Sequence, residues 1–159
     1  MKKVLFVCLG NICRSPLAEG VLKNYLLTKG NRFVEVDSCG TSRYHTGEQP
    51  DPRTRKNAEQ NGIVLSHQAR QLEDKDFIEF DFLLAMDNSN LNNMRKLRSF
   101  EQNRSKVSLL RDFDPQNPGA DVPDPYFGGD RGFQEVFEIV ERSVISFYSE
   151  KLESIFRSY

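Results

Sequence analysis

The chain has 159 residues, 38% hydrophobic and 28% charged, with a formal net charge of −1 at pH 7. That length suits one domain with one core, so residues 1–159 are expected to fold together, and the near-neutral charge argues against nucleic-acid and membrane-surface partners. The apolar stretch 4–9 is too short for a signal-peptide core or a membrane span, which makes the cytoplasm the expected compartment.

Residues 4–8, VLFVC, follow two lysines and predict a buried parallel strand. Gly10 and Asn11 break it, and Gly10 is expected to supply a backbone angle that other residues resist. Ser15-Pro16 reads as a helix start, with Ser as cap and Pro at the first helical position. Leu17, Val21, Leu22 and Tyr25 continue it at helical spacing, and Gly30 can end it. Residues 33–37 predict a second strand, 40–52 a long loop, and 54–61 a helix closed by Gly62. Residues 80–86 predict a third strand, followed by Asp87 and a polar helix through about Arg98; residues 106–110 predict a fourth. Residues 112–129 form a second long loop with four prolines, and Phe133, Val136, Phe137, Val140, Val144, Phe147 and Tyr148 mark a closing helix.

Strands alternating with helices predict an α/β fold: a four-stranded parallel sheet with helices on both faces, doubly wound and Rossmann-like. Ligands of such sheets bind beyond the carboxyl ends of the strands. Cys8 lies at such an end, and the loops carrying Tyr44 and Asp124 are expected to open at the same edge. Three cysteines, Cys8, Cys13 and Cys39, do not describe a disulfide scaffold, and His45 and His67 have no zinc-ligand spacing. No metal and no cofactor is expected.

The segment Cys8-Leu9-Gly10-Asn11-Ile12-Cys13-Arg14-Ser15 leaves a strand and enters a helix. Successive backbone N–H groups in such a loop form an anion-binding concavity, and the helix adds its positive end. A cysteine at the lip of that cradle is favoured as thiolate, the nucleophilic form. Arg14, six positions on, can curl back and hold two oxygens of a phosphoryl group with its planar fork. By spacing alone Cys8 could equally be a core cysteine and Arg14 a surface residue. The preceding strand, the internal glycine and the Ser-Pro helix start favour the cradle.

The segments CLGNICRSP, DSCGTSRYHTG, SHQARQL, FDFLLAMDNSNL and DPYFGG together resemble the low-molecular-weight protein tyrosine phosphatases, in family order and over essentially the whole chain. The resemblance implies hydrolysis of phosphotyrosine proteins to inorganic phosphate through a phosphocysteine on Cys8. It implies Asp124 as general acid and then base, whereas composition alone leaves Asp121 as a competitor and a turn residue as the plainer reading. Ser15 would donate to the nucleophilic sulfur besides capping its helix. Asn11, Ser38 and His67 would brace the phosphate loop, Asp87 would position its arginine, and Leu9, Ile12 and Cys13 would complete the loop. Tyr44, Tyr126 and Phe127 would wall the slot around a phenyl ring; Phe127 stands where the family more often has a tyrosine. The matching cysteine pair implies that Cys13 protects an oxidised Cys8 as a disulfide, against the simpler possibility that it packs beneath the loop.

Arsenate reductases share this loop but need further redox cysteines on a later segment, and none follows Cys39. Arginine phosphatases of the same fold carry Thr at the position of Ile12 and lack a large aromatic near Tyr44. A phosphate-binding module without catalysis would be expected to lose Cys8 or Asp124.

Overall fold

The computed structural model describes residues 1–126 and 130–157. Among them, four strands, β1 (Lys2–Cys8), β2 (Val34–Gly40), β3 (Phe82–Ala85) and β4 (Val107–Leu109), form one parallel sheet in the order β2-β1-β3-β4. The helices are α1 (Arg14–Lys29), α2 (Pro52–Gln60), α3 (Asp74–Glu79), α4 (Asn88–Met94), α5 (Phe100–Asn103) and α6 (Asp130–Phe147). A π turn, Tyr148–Leu152, carries α6 on into α7 (Glu153–Arg157).

Both faces of the sheet are covered, which is why its central strand reads as an uninterrupted apolar run. Val4, Phe6 and Cys8 of β1 pack with Leu84 against α1 and α6, through Leu17, Val21, Val140, Val144 and Phe147. Leu5 and Val7 alternate to the other face and meet Leu83 and Ala85, with Phe77 of α3, Met94 of α4 and Phe100 of α5 beneath. The strand order reverses at β1, whose neighbours are β2 on one side and β3 on the other. The crevice of a doubly wound sheet opens at that point, beyond the carboxyl end of the central strand.

Several boundaries differ from those read in the sequence. Ser15 is not a cap: α1 begins at Arg14, with Cys13 before it and no side-chain cap, and Pro16 sits within its first turn. Asp51 caps α2 by accepting from the Arg53 N–H, so that helix starts at Pro52 rather than Thr54. The polar helix after Asp87 stops at Met94, and α3 and α5 are short helices the periodicity did not reveal. Strand β2 runs on through Ser38 and Cys39 to Gly40, because these small residues are buried behind the first loop. Gly30 ends α1 with φ 67°, as expected of a left-handed C-cap.

Fully buried Asp114 anchors the second long loop. It accepts from Arg111 Nε at 2.9 Å, Arg142 Nε at 2.9 Å and the Gln116 N–H at 2.9 Å. Burial alone would raise its pKa, but Arg142, the Gln116 amide and Arg111 outweigh it and hold it down at about 2.

Candidate active site

The loop between β1 and α1 folds around the sulfur of Cys8. The Asn11 N–H donates to Cys8 Sγ at 3.2 Å, and Ser15 Oγ lies 2.9 Å from the same atom. Asn11 rather than Gly10 takes the left-handed conformation here, with φ 58°. Its side chain holds that angle: Nδ2 donates to Ser15 Oγ at 2.7 Å and to Ser38 Oγ at 3.0 Å. Its Oδ1 accepts from His67 Nε2 at 2.7 Å and from the Arg70 N–H at 3.0 Å. Gly10 instead faces the His45 ring. A Cβ there would come within 3.0 Å of His45 Cδ2.

Behind Asn11 the network ends on a carboxylate. Ser38 Oγ donates to Glu19 Oε1 at 2.7 Å, and His67 Nδ1 lies 3.1 Å from the same oxygen. Burial would push the Glu19 carboxyl up, but His67, Lys23 and Ser38 together hold it below its ordinary value. Glu19, Asp37 and His67 bring three potential metal-ligand atoms within 4.8 Å of one another. Lys23 on Glu19, Arg70 on Asp37 and Asn11 on His67 already engage them.

Arg14, 3% exposed, is held from behind. Its Nη1 donates to Asp87 Oδ2 at 2.6 Å and to the Val122 carbonyl at 2.9 Å, and its Nη2 lies 3.7 Å from Asp124 Oδ2. Desolvation lowers the arginine pKa, but Cys8, Asp87 and Asp124 raise it more, so the guanidinium stays charged. Asp87 fills both roles open to it, since its Oδ1 also caps α4 by accepting from the Asn90 N–H at 2.7 Å. The two candidate acids stand in different surroundings. Asp121 Oδ1 is taken by the Asn88 N–H and Nδ2, each at 2.9 Å, whereas Asp124 lines the cleft over Cys8.

That cleft encloses about 260 Å³. Cys8, Ile12 and Arg14 lie along it, with Leu9, Gly10 and Cys13 of the same loop, and Tyr44, Tyr126 and Asp124 from the two long loops. Tyr44 is 87% exposed at the rim and Tyr126 37% exposed. Phe127 lies outside the described residues. Cys13 packs with Ile12, Ala69 and Phe133, and burial pushes its thiol up to about 12.

Residues not singled out from the sequence also shape this site. His45 lines the cleft between Tyr44 and Tyr126, with ring centroids 5.3 and 6.4 Å away, and its Nδ1 bonds the Glu48 carboxylate. Only the i, i+3 spacing of His45 and Glu48 hinted at this. Gly40 lies directly under the loop: a Cβ there would meet the Leu9 carbonyl at 2.6 Å and the Asn11 nitrogen at 3.2 Å. The first long loop is stitched to the loop between β1 and α1 by Thr41 N–H to the Cys8 carbonyl, Ser42 N–H to the Leu9 carbonyl and Asp51 N–H to the Ile12 carbonyl.

Known proteins resemble this chain over most of its length. The family model described as "Low molecular weight phosphotyrosine protein phosphatase" matches residues 3–156. A protein of that name from Schizosaccharomyces pombe is 45% identical over 137 residues, covering 85% of this chain and 87% of the relative. The solved structure of a protein tyrosine phosphatase from Entamoeba histolytica superposes with a TM-score of 0.92 at 38% identity, covering 98% of this chain and 99% of that one. A Drosophila arginine phosphatase superposes with a TM-score of 0.84 at 32% identity, covering 96% and 99%. By the family match across its length and by identity to curated relatives, this chain belongs to the low molecular weight phosphotyrosine protein phosphatase family.

Proposed function

We propose that this protein is a protein tyrosine phosphatase that hydrolyses phosphotyrosine monoesters through a phosphocysteine on Cys8. The observation that carries this is the convergence of Cys8, Arg14 and Asp124 on one cleft whose outer walls are Tyr44 and Tyr126. The phosphoryl group enters the loop between β1 and α1, where Arg14 and the positive end of α1 face its oxygens. Cys8 Sγ attacks phosphorus as the ester oxygen leaves, and Asp124 gives that oxygen its proton. Ser15 Oγ, 2.9 Å from the sulfur, stabilises the thiolate when it departs. Asp124, now a carboxylate, takes a proton from the water that attacks the phosphocysteine, and inorganic phosphate is released.

The substrate class follows from the walls. Ile12 presents an apolar side chain that gives a guanidinium no hydrogen-bond acceptor, and the aromatic rim suits a phenyl ring. Phosphoarginine is the second reading, favoured by the likeness to the Drosophila arginine phosphatase. No described helix is long and apolar enough to cross a membrane. We propose phosphotyrosine-containing proteins of the cytoplasm as the substrates. Peroxide converts a thiolate to a sulfenic acid; condensation of the Cys13 thiol with Cys8 sulfenic acid then gives a disulfide and water.

Turnover of p-nitrophenyl phosphate without added metal, its abolition in Cys8→Ser, and a peptide panel test the reading together. Phosphotyrosine peptides are expected to be cleaved far faster than phosphoserine or phosphoarginine ones. Asp124→Asn is expected to slow phenyl phosphate by about 10²–10⁴-fold and activated esters by less. Faster cleavage of phosphoarginine would overturn the substrate class, and near-normal turnover in Cys8→Ser the nucleophile.

A further inference from the structure

Two parts of the site come from distant stretches of chain. The nucleophile loop is built on β1, while Asp124 and Tyr126 stand on the loop that precedes α6. Arg14 is one tie between them, through the Val122 carbonyl. A second tie runs through Arg53, a residue with no part in the chemistry above.

Arg53 sits in the first turn of α2, with its side chain 40% exposed. Its guanidinium forks onto Asp51, from Nε to Oδ1 at 3.1 Å and from Nη2 to Oδ2 at 3.0 Å. The same Nη2 donates to the Tyr126 carbonyl at 2.9 Å, across 73 residues of sequence. The plane also lies against two rings, 5.4 Å from the Tyr126 centroid and 4.9 Å from that of Phe133 at the start of α6. At either end this cluster is fastened to the site. Asp51 is 8% exposed, and its N–H donates to the Ile12 carbonyl in the nucleophile loop at 2.8 Å. The Tyr126 N–H donates to Asp124 Oδ1 at 3.0 Å. A continuous path thus leads from Ile12 through Asp51, Arg53 and Tyr126 to the carboxylate of Asp124.

We propose that Arg53 is a positioning residue: it holds the Asp124–Tyr126 segment in register with the nucleophile loop, so that the proton of Asp124 is delivered to the leaving oxygen. The proposal rests on Asp124 as the general acid. An arginine suits the task because its rigid fork can bond Asp51 and a carbonyl while its face stacks on a ring. Lysine offers a point charge on a flexible stem and can satisfy only part of this set.

The test is a leaving-group series, because a misplaced acid matters most where the leaving oxygen is basic. kcat/KM is measured for phenyl, p-nitrophenyl and 2,4-dinitrophenyl phosphate in wild type, Arg53→Met, Arg53→Lys and Asp124→Asn, and in Asp124→Asn combined with Arg53→Met. In Arg53→Met the loss on phenyl phosphate is expected to exceed that on 2,4-dinitrophenyl phosphate by about ten-fold, the scale of a modest displacement of an acid worth 10²–10⁴-fold. Arg53→Lys is expected to recover part of that ratio, and it carries the test if the methionine variant does not fold. In the Asp124→Asn background the selective loss from Arg53→Met is expected to vanish. Equal losses across the three esters would make Arg53 a stability residue only and overturn the proposal, as would a selective loss that persists without Asp124. Failure of the underlying reading is distinguishable, since Asp124→Asn alone, with Arg53 intact, would then show no dependence on leaving group, and the Arg53 proposal would fall with it.

Discussion

Gly40→Ala tests how tightly the catalytic loop is seated on the sheet. Gly40 ends β2, pairs with Cys8 in the ladder, donates to the Arg70 carbonyl and accepts from the Leu72 N–H. An added methyl would lie 2.6 Å from the Leu9 carbonyl oxygen and 3.2 Å from both the Asn11 nitrogen and the Gly10 carbonyl carbon. All three neighbours are backbone, so no side chain can rotate away. An ordinary contact is about 3.5 Å, so strand and loop must part by about 0.9 Å. The loop must take up part of that displacement, and it is the segment proposed to receive the phosphoryl group. Misplacement by about 1 Å can cost about 10²-fold in rate, so kcat for p-nitrophenyl phosphate is expected to fall by about that factor. Overpacking of this kind costs about 1–3 kcal/mol of stability. Gly132→Ala is the control, since a Cβ there meets nothing within 4 Å. Steady-state kinetics, phosphate affinity by calorimetry and a thermal melt read the three effects. Wild-type kcat and phosphate affinity in a folded Gly40→Ala protein would refute the seating argument.

Three further outcomes are expected. Asn11→Ala forfeits four side-chain hydrogen bonds and leaves a non-glycine residue at φ 58° without its anchor; denaturant unfolding should show a loss of about 3 kcal/mol, with Asn11→Gly recovering about 1 of it through the backbone term. Asp114→Asn removes the charge facing Arg111 and Arg142 inside the fold, which should cost about 3–5 kcal/mol at pH 7. The Asp114 carboxyl is depressed in the folded state, from 3.8 to about 2. Its stabilising contribution is therefore full above pH ~4 and lost as pH falls through about 2, so the gap between wild type and the Asn variant should narrow over that window. After peroxide inactivation, a thiol reductant should restore wild type but restore Cys13→Ser far less, with a Cys8–Cys13 peptide found by mass mapping. Because burial holds the Cys13 thiol up at about 12, disulfide formation should quicken as pH rises; equal recovery in the mutant would remove the protective role.

Local chemistry made the first loop and its flanks legible in the sequence. Residues 4–8 are apolar without interruption because β1 is covered on both faces, and the stripe from Val136 to Tyr148 is a helical face packed with α1 and the sheet. Both signals depend only on period and burial, which a linear sequence records. The five segments resembling a known family carried the roles expected of Cys8, Arg14 and Asp124, and no periodicity could have done so. Short helices escaped notice: α3 has 6 residues and α5 has 4, too few turns to show a repeat.

The sequence alone determined the four strands and the long helices, the carboxyl-end location of Cys8 and the chemistry available in the 8–15 segment. Tertiary structure decided which residues meet. Asn11 is left-handed because four partners hold its side chain, Ser15 of the same loop and Ser38, His67 and Arg70 from two distant stretches, whereas local preference pointed to Gly10. Gly40 is a glycine for want of room against the loop backbone, and such crowding exists only once distant segments are packed. Asp124 is distinguished from Asp121 by what each touches, Arg14 and the cleft in one case and the start of α4 in the other. Arg53 reads as an ordinary surface charge until Tyr126 arrives from 73 residues away. Composition and spacing record what each residue can do; proximity across the fold, set by burial of the two apolar faces of the sheet, selects what it does.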